Sequence, residues 1–283
     1  MRANARRGAR WLAGVWAVAV VPAAVVMAGP AQAAPAQAPA PFTYSTVAWT
    51  HSTVIVASVD AAGDLYYWWQ PDGSTTWNQE LVATGQYEGS VPSIAWTGST
   101  VIIADSDSGG QVDYYYQFAG TRTWHEQPVA AAPENSYYGP ATISWTGSTV
   151  IIGAVDRDGD LYYWYQYVGT GTWHDQQVAA AFAVAPYYPP AIAWTGRLVV
   201  LAGVSENGSL NFWWQAAGTR PWHEEHVATL SPGGEYFYPS MAPAGGSVVI
   251  TDSDGSALPG GNLDYWWQQD GTRGWNQQQV AAG

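Results

Sequence analysis

Residues Asp160–Gln166 read DLYYWYQ, and variants of this phrase occur five times along the chain. The others are DLYYWWQ (Asp64–Gln70), QVDYYYQ (Gln111–Gln117), SLNFWWQ (Ser209–Gln215) and NLDYWWQ (Asn262–Gln268). Their closing glutamines lie 47, 49, 49 and 53 residues apart. A tryptophan follows each glutamine seven residues later, at Trp77, Trp124, Trp173, Trp222 and Trp275. A third marker, the Trp of an (Ala/Ser)-Trp-Thr phrase, stands at Trp49, Trp96, Trp145 and Trp194, with Pro243 in its place in the fifth repeat. Self-similarity at this period is the mark of a repeat architecture, so the array is read before any single motif.

Each repeat holds four strand-like runs. In the third these are Ala141–Trp145, Val150–Val155, Leu161–Gln166 and Trp173–Ala179, separated by Gly147, by the turn Asp156–Gly159 and by Gly169–Thr172. β-branched and aromatic runs bounded by Gly and Asp turns predict strands, here a, b, c and d, and no helical period competes. Five such units predict an all-β, five-bladed β-propeller of about 49 residues and four antiparallel strands per blade. A linear β-solenoid is the alternative, but it would need polar capping units and none is visible. The chain enters at strand a and leaves at strand d. If each repeat is one blade, packing and hydrogen bonds between blades 1 and 5 must close the ring without strand exchange.

The first 33 residues read as a secretory signal peptide. They carry four arginines up to Arg10, an apolar run from Trp11 to Gly29 and the small-residue site Ala31-Gln32-Ala33. The rival reading, an uncleaved anchor, is opposed by Pro22 within the run. Residues 34–41 form an Ala/Pro linker, and 42–283 the propeller. A secreted, extracellular protein follows, without a membrane partner once the signal is cleaved.

All nine basic residues of the 283-residue chain are arginines, against 22 acids. Cleavage removes four arginines and no acid, so five face 22, a balance of −17. A surface this acidic repels phosphate backbones, which excludes nucleic acid as a natural partner. There is no cysteine, so neither disulfides nor thiol chemistry are available.

The repeats resemble the secreted propellers of the tachylectin-2-like and fungal fucose-lectin-like sugar binders. The phrase Ala119–Trp124 (AGTRTW) is also similar to a degenerate Asp-box. Asp72 and Asp270 stand five residues before their tryptophans as that motif requires, while Ala119, Val168 and Ala217 do not. The resemblance implies a carbohydrate or glycoconjugate partner. It transfers no binding residue.

Side chains alternate along strand c, so Leu65, Tyr67 and Trp69 face one neighbour while Tyr66, Trp68 and Gln70 face the other. Rings that recur in every blade are read as packing. The pairs His125-Glu126, His174-Asp175 and His223-Glu224 lie one to a blade and are read as rim residues, since metal ligands must converge on one ion. Asp156, Asp158 and Asp160 could offer oxygens to Ca²⁺, but their spacing also suits a tight turn.

That leaves the links between strand d and the next strand a. They carry Tyr87, Glu88, Glu134, Tyr137, Tyr138, Tyr187, Tyr188, Glu235, Tyr236 and Tyr238, rings to stack on sugar C–H faces and carboxylates to accept from hydroxyls. They are the predicted ligand-binding residues, on the face formed by the inter-blade loops. No catalytic residue, metal ligand or cofactor is assigned. A glycosidase needs a positioned pair of carboxylates, and the strands a contain no acid. A protein-interaction or envelope scaffold and, third, a glycoside hydrolase stand as alternatives.

Overall fold

The computed structural model describes residues 42–87, 90–132, 134, 136–180, 188–205, 207–229, 236, 238–253, 262–269, 272 and 274–281. The signal and linker segments lie outside these. Blade 1 consists of β1 (Phe42–Trp49), β2 (Thr53–Asp60), β3 (Leu65–Pro71) and β4 (Asn78–Ala83). Blade 2 follows with β5 (Ser93–Trp96), β6 (Thr100–Ser106), β7 (Val112–Phe118) and β8 (His125–Ala130). In blade 3 the strands are β9 (Thr142–Trp145), β10 (Thr149–Val155), β11 (Leu161–Tyr167) and β12 (His174–Ala179). Blade 4 holds β13 (Ala191–Trp194), β14 (Leu198–Val204), β15 (Leu210–Ala216) and β16 (His223–Ala228). Blade 5 ends the array with β17 (Ser240–Pro243), β18 (Ser247–Ser253), β19 (Leu263–Gln269) and β20 (Asn276–Ala281). Each sheet is antiparallel in chain order, so one repeat is one blade and, among the described residues, no strand is exchanged. The protein is a five-bladed β-propeller. No helix among the described residues is long and apolar enough to cross a membrane.

The b–c turns show why aspartate and glycine recur. The Asp156 carboxylate accepts from the backbone N–H groups of Asp158 and Asp160, both at 2.9 Å. Gly159 takes the left-handed conformation (φ 83°) that closes the turn. Asp60 and Gly63 repeat the arrangement in blade 1. Turn formation thus accounts for the Asp156 carboxylate.

Among the described residues four apolar clusters, one between each pair of consecutive blades, make up the core. In each, strands b and c of one blade present an aliphatic and aromatic face to strands a, b and c of the next. Between blades 3 and 4 this brings Ile151, Leu161 and Tyr163 against Ile192, Leu201 and Trp213. An aromatic contact recurs at the edge of each cluster, with the third residue of strand c edge-on to the d-strand tryptophan of the following blade. Centroid distances are 5.3 Å for Tyr67–Trp124, 5.4 Å for Tyr114–Trp173, 5.3 Å for Tyr163–Trp222 and 5.0 Å for Phe212–Trp275. Trp213 is only 1% exposed. Its replacement by alanine is expected to cost about 3–5 kcal/mol, measured as the loss in a denaturant titration.

The seam between blades 5 and 1 departs from this pattern. Val47 is 67% exposed, whereas its counterparts Ile94, Ile143 and Ile192 are 6%, 5% and 8% exposed. Trp77 is 46% exposed, and on the facing side Leu263 is 39% exposed where Leu65, Leu161 and Leu210 are at 0%. At the axis the Tyr44 ring lies 6.2 Å from Tyr238, bridging blades 1 and 5. The expectation that packing closes the ring there is not met among the described residues, although the apolar residues for it are present on both sides.

Candidate functional site

Burial falls off along strand c toward the c–d turn. The first residue of the strand is fully buried in blades 1 to 4, the third nearly so, and the fifth only half-buried at Trp69, Tyr116, Tyr165 and Trp214. The blades therefore part at the end of the propeller that carries the a–b and c–d turns, and clefts open between them.

Between blades 3 and 4 a cleft of about 280 Å³ is lined by Tyr163, Tyr165, Tyr167, Gln176, Trp194, Gln215 and Arg220, among others. Between blades 2 and 3 the corresponding residues Tyr114, Tyr116, Phe118, Gln127, Trp145 and Gln166 line one of about 400 Å³. Between blades 4 and 5, Trp214, Glu225 and Trp275 border a wider groove of about 530 Å³ that reaches the rim beside His223.

The recurring glutamine that ends the aromatic run ties the floor of each cleft. Gln117 Nε2 donates to Glu80 Oε2 (3.0 Å), Gln166 to Gln127 Oε1 (3.2 Å), Gln215 to Gln176 Oε1 (2.9 Å) and Gln268 to Glu225 Oε2 (2.6 Å). Gln176 Oε1 also accepts from Trp222 Nε1 at 3.1 Å. The equivalent indole N–H groups of Trp124, Trp173 and Trp275 are buried without a protein partner. On the outer side the exposed imidazoles stack on the cleft rings. His125 lies 4.9 Å from Tyr116, His174 4.9 Å from Tyr165 and His223 4.0 Å from Trp214. The histidines are thus rim residues, as their spacing suggested, and they brace the rings. A half-buried ring beside fixed amide and carboxylate groups can stack on a sugar's C–H face and hydrogen-bond its hydroxyls.

The predicted link residues fall into separate groups. Tyr87, Tyr137 and Tyr138 come together on the opposite face, in a pocket of about 380 Å³ between blades 2 and 3 with Asp107, Ser90, Ser106 and Ser136. Tyr87 is exposed there, while Tyr138 is buried, its ring edge-on to Trp164 at 5.1 Å. Gly110, at φ 78°, passes so close that an added Cβ would sit 2.1 Å from Tyr137 Cβ. Tyr188 and Tyr238 meet at 5.8 Å beside Tyr44, near the innermost strands. Tyr236 is apart from these and buried, edge-on to Trp266 at 5.1 Å. Phe42 does the same to Trp68 at 4.9 Å, so this ring position supports the blade beneath it. Glu134 is exposed in its link. Glu88, Tyr187 and Glu235 lie outside the described residues.

Beneath the blade 2–3 pocket sits Asp105, fully buried, accepting from the Ser90 hydroxyl and from the Ser106 N–H at 2.9 Å. Burial, aided by the nearby charges of Asp113 and Asp107, pushes its carboxyl up to about 7.

Comparison with solved structures finds lectins. The chain superposes on a Burkholderia pseudomallei lectin with TM-score 0.68 at 17% identity, covering 85% of this chain and 71% of the other. The fungal lectin of Aleuria aurantia, a six-bladed β-propeller with fucose recognition, gives 0.58 at 12% identity over 84% and 78%. The SapL1 lectin in complex with alpha methyl fucoside gives 0.60 at 13% over 84% and 82%. No family model and no curated protein matches. At these identities the likeness is one of fold. The chain shares the β-propeller architecture of these lectins, as the repeats suggested.

Proposed function

We propose that the protein is a secreted, non-enzymatic carbohydrate-binding propeller whose quasi-equivalent sites are the clefts between consecutive blades. The carrying observation is their recurrence. Matching strand-c rings, a strand-a tryptophan and a tied glutamine pair line the clefts of blades 2–3 and 3–4. Arg220 at the mouth of one of them adds a donor fork suited to hydroxyl oxygens. Weak sites repeated on one rigid body gain strongly when several engage at once. The structural neighbours' fucose ligands make α-fucosylated glycans the first class to try. Secretion rests on the signal-like first 33 residues.

The test is a glycan array probed with residues 34–283 and with a Tyr165→Ala, Gln215→Ala variant, with melting temperatures confirming that both are folded. The proposal expects array signal, weakened in the variant. A second reading, motivated by the exposed Tyr87 beside Asp107, puts the sugar in the link-face pocket. It expects Tyr87→Ala to abolish binding, and Gly110→Val, which displaces Tyr137, to do the same, while the cleft variant binds fully.

A further inference from the structure

The unpaired faces at the blade 5–blade 1 seam are the two halves of the interface that the other blades form. On blade 5, Val249, Leu263 and Tyr265 occupy the positions that Ile151, Leu161 and Tyr163 bury against blade 4. On blade 1, Val47, Val54, Val56 and Trp68 match Ile192, Val199, Leu201 and Trp213, which complete that cluster. Gln70 and Gln278 stand where Gln215 and Gln176 bond. Large apolar side chains left in water on facing surfaces mark an interaction site.

Direct closure would require each packed interface to open by the same angle. Those interfaces are closely packed; at the one between blades 3 and 4 a Cβ at Gly153 would lie 2.9 Å from Leu201 Cδ2 of the next blade. The width of the opening follows from the comparison. Five blades superpose together over 84% of this chain on 78% of a six-bladed chain, near the five-sixths that five of six blades make up. On that match the five blades fill five of six positions, which implies an opening about one blade wide outward of the Tyr44–Tyr238 contact.

We propose that the seam is an acceptor surface for one further blade supplied by a partner polypeptide. That blade is a four-stranded antiparallel sheet with the repeat's own pattern. One face would offer a d-strand Trp to Tyr265 and a c-strand Gln to Gln278. The other would offer a c-strand Tyr to Trp77 and a d-strand Gln or Glu to Gln70. A second copy of this chain does not fit the wedge, because each of its blades is already packed on at least one face. The surface is distinct from the sugar clefts.

The cysteine-free chain allows a direct test by thiol labelling. Val47→Cys and Leu263→Cys are made singly, with Ile143→Cys as the buried reference, in residues 34–283. The same variants are made in a six-repeat chain with a second copy of residues 131–179 appended after Gly283. Labelling at positions 47 and 263 should be at least tenfold faster than at 143 in the five-repeat chain. In the six-repeat chain it should fall to the reference rate, with a monomeric mass and a higher melting temperature. Equally slow labelling in the five-repeat chain would mean that the ring closes on itself, and fast labelling in the six-repeat chain that no blade is accepted. Either overturns the proposal. So does protection of the five-repeat chain that grows with its own concentration, which would assign the seam to a second copy.

Discussion

Replacing Tyr116, Tyr165 and Trp214 together by alanine is expected to reduce binding to a glycan-coated surface by roughly 10²–10⁴-fold. These residues occupy one position of strand c in blades 2, 3 and 4, and each borders a different cleft. A single replacement removes one ring and leaves the other sites engaged, so its effect on surface binding is much smaller. The loss should therefore be far steeper on a dense surface than with a soluble monosaccharide, where sites act one at a time. The rings are half-buried, packed on the edges of the apolar clusters rather than within them, and braced by His125, His174 and His223. Melting temperatures should accordingly fall by less than for Trp213→Ala. Surface plasmon resonance at high and low glycan density reads the difference.

The second large effect is on stability against pH. The Asp105 carboxyl is raised to about 7 in the folded protein by burial, and that of Asp113 to about 6 for the same first reason. In the unfolded chain an aspartate titrates near its ordinary value, so between about pH 4 and 7 the folded state holds more protons. The stabilisation is complete below the unfolded value and is lost as the pH rises through the folded one. Moving from pH 8 to pH 5 crosses about two units of that span and should therefore stabilise the protein, by about 2.7 kcal/mol at most from Asp105 at 1.36 kcal/mol per unit. In a domain of this size that is about 5–10 °C in melting temperature. Asp105→Asn keeps an acceptor for the Ser90 hydroxyl and the Ser106 N–H but cannot ionise. Melting temperatures of both chains at pH 5, 6, 7 and 8 should show a slope for the native protein and a much flatter line for the variant. Parallel slopes would mean that Asp105 is ionised in the folded protein.

Much of the fold was legible because the three repeat markers fix blade number and strand order together. The third repeat's strands were placed within a residue of Thr142–Trp145, Thr149–Val155, Leu161–Tyr167 and His174–Ala179. The site was less legible for a physical reason. Strand-c rings recur in every repeat, and recurrence alone reads as packing. It is packing at Tyr163 and Trp164, which are buried, but Tyr165 sits where diverging blades leave room. Exposure at that position depends on the blade-to-blade angle, which no residue pattern states. The burial of two link tyrosines was equally hard to read. Tyr138 and Tyr236 look free in a variable loop, yet each turns inward onto its own blade. The open seam was less legible too, because apart from Pro243 the facing residues of blades 1 and 5 follow the apolar pattern of the rest.

The most direct test of the central claim is calorimetric stoichiometry. Residues 34–283 are titrated with a soluble monovalent form of the best array glycan, alongside Tyr165→Ala and Tyr87→Ala variants. The account predicts more than one bound sugar per chain, with about one site lost in Tyr165→Ala and none in Tyr87→Ala. A single site that survives Tyr165→Ala and disappears with Tyr87→Ala would contradict it.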